Sequence, residues 1–235
     1  MNNIKLLIPA AGKGTRAKLN YPKTLFKINN KPILINILNT LELIDDKPVI
    51  ICSQSGKKKI QNSLKEYKKK AELIIQYKRL GMADAVLKFT NSKHFDSTDH
   101  ILLIWSDIIS PSKKNINLMV NRHLKQNNDF SFITMYQKKP YTLVKRNKKN
   151  EVVAIKEIKN AKVKPSFGER ELGIFIFKKE LLNLIKLNKK KIKINNEYSF
   201  LKAVELLKNA KYSIKGYKIG NLKDAYSFNE QKDIK

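Results

Sequence analysis

Apolar residues come in short continuous runs through the first half of the chain, and each run is followed by a segment of helical period. "IKLLIPA" reads as a buried strand. After a glycine-bearing stretch, Leu34, Ile37, Leu38, Leu41 and Ile44 share one face of a helix predicted from about Pro32 to Ile44. "PVIICS" is the next strand, and Ile60, Leu64 and Tyr67 stripe an otherwise basic helix over Lys57 to Lys70. "ELIIQ", a short helix around Ala83 to Phe89, "ILLIWSD" and a helix around Ile116 to Leu124 continue the alternation. Repeated strand–helix units with near-continuous apolar strands predict a parallel sheet covered on both faces.

After residue 128 the pattern changes. "DFSFITMY" alternates, "YTLVKRN" and "EVVAIKEI" flank the turn-like "KKN", and "LGIFIF" follows. These predict a hairpin and further strands added to the same sheet, helices at Lys179 to Leu187 and Glu197 to Asn209, and a last strand near Tyr212 to Ile219. The expected class is α/β: a three-layer α/β/α Rossmann-like fold with a mostly parallel mixed sheet and an added β-hairpin. At 235 residues, with no linker-like stretch or internal repeat, one domain (1–235) is expected, its halves meeting near residues 128 and 129.

Composition narrows the function. Hydrophobic residues make up 42% and charged residues 29%, as in a folded soluble protein. No apolar run spans a bilayer and no signal-peptide pattern opens the chain, so a cytoplasmic protein without a membrane partner is expected. Cys52, the single cysteine, reads as a core thiol, and the three histidines share no zinc spacing with it. Forty-nine Lys plus Arg against twenty Asp plus Glu give a formal charge of +29. That suits a nucleic-acid partner, but the lysine runs are scattered, no aromatic-basic stripe accompanies them, and no nucleic-acid module is recognisable. A basic surface also concentrates anionic small substrates such as polyphosphates.

The stretch after the first strand carries the candidate chemistry. Gly12-Lys13-Gly14-Thr15-Arg16-Ala17 fits the loose dinucleotide fingerprint G-x-G-x-x-G/A. NAD binding requires a helix directly after the loop and an acidic residue at the end of the second strand. Here Pro22 and the Asn29-Asn30 turn delay the helix, and the second strand ends in Ser53-Gln54-Ser55. The GxxxxGK[ST] phosphate loop is absent as well. A plain turn would explain the glycines but not the clustering of Lys13, Arg16 and Lys23 at the edge where open parallel sheets bind ligands.

"PAAGKGTR…PKTLFKINNKPIL" resembles the signature of nucleoside-diphosphate-sugar pyrophosphorylases, a nucleotidyltransferase family, and most of all the N-terminal domain of N-acetylglucosamine-1-phosphate uridylyltransferases. Later blocks follow in the family's order. "QYKRLGMADAVL" resembles its Q-x-x-x-x-G-T-A-x-A segment, "ILLIWSD" its strand ending in Gly-Asp, "KPYTLVKRNKKNEVVAIKEIKNA" its acceptor hairpin, "ERELGIFIFKKELL" its N-T-G-I-Y strand, and "NNEYSFLKAVELL" its Asn…Glu-Tyr helix.

The resemblance implies attack by a sugar-1-phosphate oxygen on the α-phosphorus of a nucleoside triphosphate, UTP favoured, with release of pyrophosphate. The attacking phosphate is already anionic, so the task is positioning and charge compensation. It implies that Gly12, Lys13, Gly14, Thr15 and Arg16 cradle the triphosphate, with Arg16 and Lys23 carrying the catalytic charge. Ala10, Ala11, Gln76 and Gly81 would lie at the base, with Gln76 pairing to its edge. Asp107 and Asn221 would hold Mg²⁺, and Tyr141, Glu157 and Glu171 would contact the acceptor.

The chain departs from the pattern at Thr142, at Glu171-Leu172 in place of Asn-Thr, at Ser106 and at Met82, so N-acetylglucosamine-1-phosphate specificity does not carry over. A CTP-dependent enzyme acting on phosphocholine or another phosphorylated alcohol is the alternative, and a basic nucleic-acid-binding protein a more distant one. The chain lacks the hexapeptide-repeat acetyltransferase region of the bifunctional family members, so only the transfer half is expected.

Overall fold

The computed structural model describes residues 3–12, 14, 17–158 and 165–228. The chain begins with β1 (Ile4–Ala10), a 3-10 turn at Lys23–Leu25, and the small hairpin β2 (Lys27–Ile28) and β3 (Lys31–Pro32). It continues through α1 (Ile33–Leu41), β4 (Val49–Cys52), α2 (Gln54–Glu66), β5 (Glu72–Ile75), α3 (Met82–Leu87), β6 (His100–Ile104) and α4 (Lys113–Lys125). The second half comprises β7 (Phe130–Lys138), β8 (Thr142–Arg146), β9 (Val152–Glu157), β10 (Phe167–Lys178) and α5 (Leu181–Leu187). It closes with β11 (Lys193–Ile194), β12 (Glu197–Tyr198), α6 (Ala203–Asn209), β13 (Ile214–Tyr217) and α7 (Leu222–Ala225).

Seven strands form one sheet in the order β13-β7-β10-β6-β1-β4-β5. β1 pairs in parallel with β4 and β6, β4 with β5, and β13 with β7, whereas β10 runs antiparallel to both of its neighbours. The expected three-layer mixed architecture is present. Leu6, Ile8, Ile50 and Leu102 face a layer made by α1, α2 and α4, with Leu34, Ile60 and Met119 buried there. Leu7, Ile51, Leu103 and Phe175 face the opposite layer of α3, α5 and α6. Alternation within strands buried on both faces is why they read as continuous apolar runs. Cys52 is buried at the end of β4.

Three expectations need correction. The β8–β9 hairpin does not extend the main sheet; it pairs only with itself as a separate ribbon. Its inward Val144, Val152 and Ile155 join the second core layer instead. The helix predicted over Glu197 to Asn209 divides into β12 and the later α6, because Tyr198 donates its backbone N–H to Leu80 O at 2.7 Å and is held extended. The helix predicted from Lys57 starts at Gln54, where the Ser53 hydroxyl accepts the Gly56 N–H at 3.1 Å as an N-cap.

Strand order sets the site. The chain proceeds outward from β1 through β4 to β5, then returns to place β6 on the other side of β1. The reversal opens a crevice at the carboxyl ends of β1 and β6, the position where open α/β sheets bind ligands.

The opposite end of β6 is sealed by a buried polar chain. The His100 and His123 rings meet at 3.0 Å between Nδ1 and Nε2, and His123 Nδ1 lies 2.9 Å from Ser131 Oγ. Burial pushes both histidines below their ordinary 6.5, His123 to about 3. Both therefore take up protons more readily in the unfolded chain. Their contribution to stability is complete above about pH 6.5 and is lost as pH falls from there toward about 3. Melting temperature measured across this window should decline, and His123→Gln should flatten the decline.

Candidate active site

Two loops meet at the crevice. The one after β1 carries Ala10, Ala11 and the glycines, then reaches Lys23 in its 3-10 turn. Pro22 fixes the entry to that turn by packing on Gly56, where an added Cβ would stand 2.8 Å from its Cγ. The other loop leaves β6 through Trp105 and Ser106 to Asp107, whose carbonyl accepts the Phe228 N–H at 2.8 Å. Lys23 Nζ lies 2.6 Å from Asp107 Oδ2, with 18% of each side chain exposed. Two residues 84 positions apart, both singled out in the sequence, are thus joined at the switch point.

Among the described residues, four buried side-chain atoms have no hydrogen-bond partner, Asp107 Oδ1, Trp105 Nε1, Thr24 Oγ1 and Ser63 Oγ, and the first three belong to these two loops. Buried polar atoms are normally satisfied, so such a concentration marks a place completed from outside the chain. A carboxylate oxygen with open lone pairs is the donor a hard divalent cation uses. No cluster of three or more His, Cys, Asp or Glu residues suited to a metal occurs among the described residues. A magnesium ion held by one carboxylate, with phosphate and water filling its shell, fits that composition. Asn221 caps α7, its Oδ1 accepting the Asp224 N–H at 3.1 Å, and Asp224 ties this segment to α4 through Ser112 N and Asn115 Nδ2.

In the glycine loop, Ala10 and Ala11 are buried at 3% and 7% exposure, closing the end of β1. Gly14 has φ +69° and its carbonyl accepts the Ala17 and Leu19 N–H groups, so it is a true left-handed turn position. Gly12 is exposed, and a Cβ there would meet nothing within 4 Å. Packing among the described residues gives no reason for glycine at that position, whereas close approach of a ligand would. Lys13, Thr15 and Arg16 lie outside the described residues.

Gln76 extends β5, donating its backbone N–H to Cys52 O at 2.8 Å. It is 4% exposed and lines, with Ser53, Gln54, Ser55, Tyr77 and Arg79, a cleft of about 520 Å³. Its Nε2 donates to Asp84 Oδ2 at 2.9 Å and to Gly81 O at 3.3 Å. Gly81 has φ +94°, and the Tyr198 backbone lies 2.6 Å from where a Cβ would stand. Burial opposes ionisation of Asp84, but donation from Gln76 and Lys189 holds its carboxyl below the usual range.

The acceptor candidates converge around Thr142. Tyr141 precedes β8, Glu157 ends β9 opposite Thr142, and Glu171 in β10 accepts the Thr142 hydroxyl at 3.2 Å. Glu171 is fully buried, and its second oxygen accepts the Gly173 N–H at 2.5 Å across an irregularity in β10. Burial pushes this carboxyl up and the Asp107 charge pushes it further, against Arg170, Gly173 and Thr142. The Tyr141 hydroxyl receives Arg170 at 2.8 Å and lies 3.3 Å from Ser227 Oγ, while the Arg170 guanidinium sits 4.0 Å over the Tyr141 ring. Glu157 accepts the Ser199 hydroxyl at 2.8 Å.

Asp84, Lys189 and Arg170 were not among the sequence candidates. An acid inside the apolar "GMADAVL", and charges alternating in "GERELG" ahead of an apolar run, were the available signals.

Fold and site together define an α/β scaffold of nucleotidyltransferase type that gathers a glycine-bearing loop, the Lys23–Asp107 pair and a buried polar cluster around Thr142 along one sheet edge. The chain belongs to the nucleotidyl transferase family, whose family model matches residues 5–232. The bifunctional protein GlmU of Buchnera aphidicola subsp. Schizaphis graminum is 30% identical over 223 residues, covering 87% of this chain and 46% of that protein. The chain thus spans about half the length of the curated relatives it matches. Among solved structures, a UDP-glucose pyrophosphorylase complexed with UDP-glucose aligns with a TM-score of 0.75 at 17% identity, covering 94% of this chain and 91% of that one. The inositol-1-phosphate CTP transferase from T. maritima aligns at 0.72 and 13%, covering 100% and 92%. These two likenesses establish the shared fold.

Gly14→Ala should cost about 1 kcal/mol, because an L residue is strained at that φ, and should lower the melting temperature. Gly12→Ala should leave the melting temperature unchanged while weakening nucleotide binding measured by calorimetry.

Proposed function

We propose that the protein transfers a nucleotidyl group from UTP to a sugar-1-phosphate, giving a nucleoside diphosphate sugar and pyrophosphate. The observation that carries this reading is the Lys23–Asp107 pair at 2.6 Å, at the switch point, with the other Asp107 oxygen unpartnered among the described residues. A phosphate oxygen of the acceptor attacks the α-phosphorus, the new P–O bond forms, and the bond to the oxygen bridging the α- and β-phosphorus breaks. No general base is needed, since the attacking oxygen is already anionic. The protein's contribution is to hold two polyanions in line and offset their repulsion.

In this reading Gly12, Lys13, Gly14, Thr15 and Arg16 wrap the triphosphate, and Lys23 lies between the α-phosphate and the acceptor phosphate. Asp107 holds Mg²⁺, with Asn221 as second ligand through the lone pair its cap leaves open. When bound, the cation offsets phosphate charge. Ala10, Ala11, Gln76 and Gly81 take the base, and Tyr141, Glu157 and Glu171 take the acceptor. Residues 1–128 form the nucleotide half and 129–235 the acceptor half of one domain, and the single sheet to which both contribute strands supports the one-domain reading. No helix among the described residues is long and apolar enough to cross a membrane, and we assign the reaction to the cytoplasm. The +29 charge steers polyphosphates to the site.

Glu171 favours a second reading of the acceptor. Its buried carboxyl suits hydroxyls, or the cationic head of phosphocholine used with CTP, better than an acetamido group.

Pyrophosphate release across a grid of triphosphates and phosphorylated acceptors tests both readings, and turnover of no pair would refute the enzyme. Lys23→Ala should lower kcat/KM by on the order of a hundredfold or more, and Asp107→Ala should abolish turnover with the fold intact by circular dichroism. Retention of full rate in either would remove its assigned role. Glu171→Gln keeps the shape of the side chain, its amide oxygen able to accept the Gly173 N–H and its amide nitrogen to donate to the Thr142 hydroxyl. It should change the acceptor KM rather than the UTP KM.

A further inference from the structure

The carboxamide of Gln76 is not free to choose its orientation. Its two protein neighbours, the Asp84 carboxylate at 2.9 Å and the Gly81 carbonyl at 3.3 Å, are both acceptors. Turning the amide over would set its oxygen against two oxygens. The amino group is therefore committed inward, and the carbonyl oxygen is the atom left to face a ligand. Both anchors are themselves fixed. Asp84 Oδ1 accepts Lys189 Nζ at 2.6 Å, with 5% and 30% of the two side chains exposed, and the ammonium rests 4.4 Å over the Tyr198 ring. Gly81 is held by the Tyr198 backbone pressed against it and by the neighbouring bond from Tyr198 N–H to Leu80 O at 2.7 Å. Asp84 occupies a position that the resemblance leaves open.

Resting on the reading of Gln76 as the base contact, we propose that the Asp84–Lys189 pair is a positioning device that makes Gln76 a fixed acceptor, selecting uracil over cytosine. At ring position 3 uracil presents an N–H donor, while cytosine presents a lone pair. A locked carbonyl oxygen pairs with the first and repels the second. The amino group that would satisfy cytosine is the one turned away. Asp84 and Lys189 do not touch the base; they act through Gln76.

The test uses Asp84→Asn, whose own amide can donate to Gln76 Oε1 and so allows the carboxamide to turn over. The double variant Asp84→Asn/Lys189→Met leaves no buried charge without a partner should the single variant be unstable. The first readout is the ¹⁵N–¹H side-chain amide signal of Gln76, assigned by its loss in Gln76→Glu. In the wild type it should be protected from solvent exchange, and in the variant it should lose that protection while the backbone spectrum persists. The second is the ratio of UTP to CTP affinity by calorimetry, which needs no acceptor. We expect the ratio to fall about tenfold, equivalent to about 1.4 kcal/mol, through a higher Kd for UTP.

An unchanged amide signal, or an unchanged ratio with the amide released, overturns the proposal. If neither triphosphate binds or perturbs Gln76 in the wild type, this inference and the proposed function fall together. If UTP binds in preference to CTP and the variant relaxes that preference, yet no acceptor is turned over, the transfer reading alone falls and the positioning role stands.

Discussion

The contact between Lys23 and Asp107 organises the crevice because it joins the two loops that a change of strand direction brings together. An ion pair with 18% exposure on each side contributes modestly to stability, and it leaves Asp107 Oδ1 buried and unpartnered. A carboxylate retained on those terms is better explained by what it can release than by what it holds. Separating the pair yields an ammonium and a carboxylate side by side, the first suited to a phosphate and the second to a cation that accompanies phosphates. In the proposed reading the free protein thereby keeps both charges compensated until a ligand supplies each with a partner.

Sheet order converts this contact into a linear site. Moving along the carboxyl edge from β5, through β4, β1 and β6 to β10, one meets Gln76, the glycine loop, Asp107 and the Thr142–Glu171 wall in turn. Four strand steps of about 4.8 Å span roughly 19 Å, a length that an extended nucleotide with its acceptor bridges. Among the described residues, chemical kinds are segregated along that line: the Gln76 amide at one end, Gly12, Gly14 and Lys23 in the centre, and Glu171 at the other. In the proposed reading such spacing keeps the buried Glu171 away from the triphosphate while leaving Asp107 between the two.

The nucleotide half was legible because its strands are buried on both faces and its helices are amphipathic, so local pattern and tertiary role agree. "PVIICS" reads as an inner strand and is one, while "ELIIQ", equally apolar, forms the half-buried edge strand β5. The acceptor half was less so. Tyr198 has helix-compatible neighbours, yet a single backbone bond to Leu80 holds it extended, a long-range demand that no local pattern encodes. The β8–β9 ribbon has the alternation of a sheet strand, and only packing decides that it lies on the core rather than beside β7. Within the site, Lys23 and Asp107 were readable from their motifs. The Asp84–Lys189 anchor was not, since its members stand 105 positions apart, Asp84 at a position its motif leaves open and Lys189 in none.

Two of the buried acids, Asp84 and Glu171, illustrate how one fold assigns different tasks to similar groups. Asp84 meets an ammonium and an amide, and its carboxyl is held below the ordinary range despite burial. Glu171 meets only a hydroxyl and a peptide N–H as direct hydrogen-bond donors, lies within reach of the Asp107 charge, and is pushed up. An acid that is paid for by full pairing serves to fix its neighbours, which is what Asp84 does to Gln76. An acid left incompletely compensated beside Asp107 gains most from a ligand that donates to it. In the proposed reading a hydroxyl-rich or cationic acceptor does so, and by the same argument an amide at position 171, which donates as well as accepts, would lessen the discrimination.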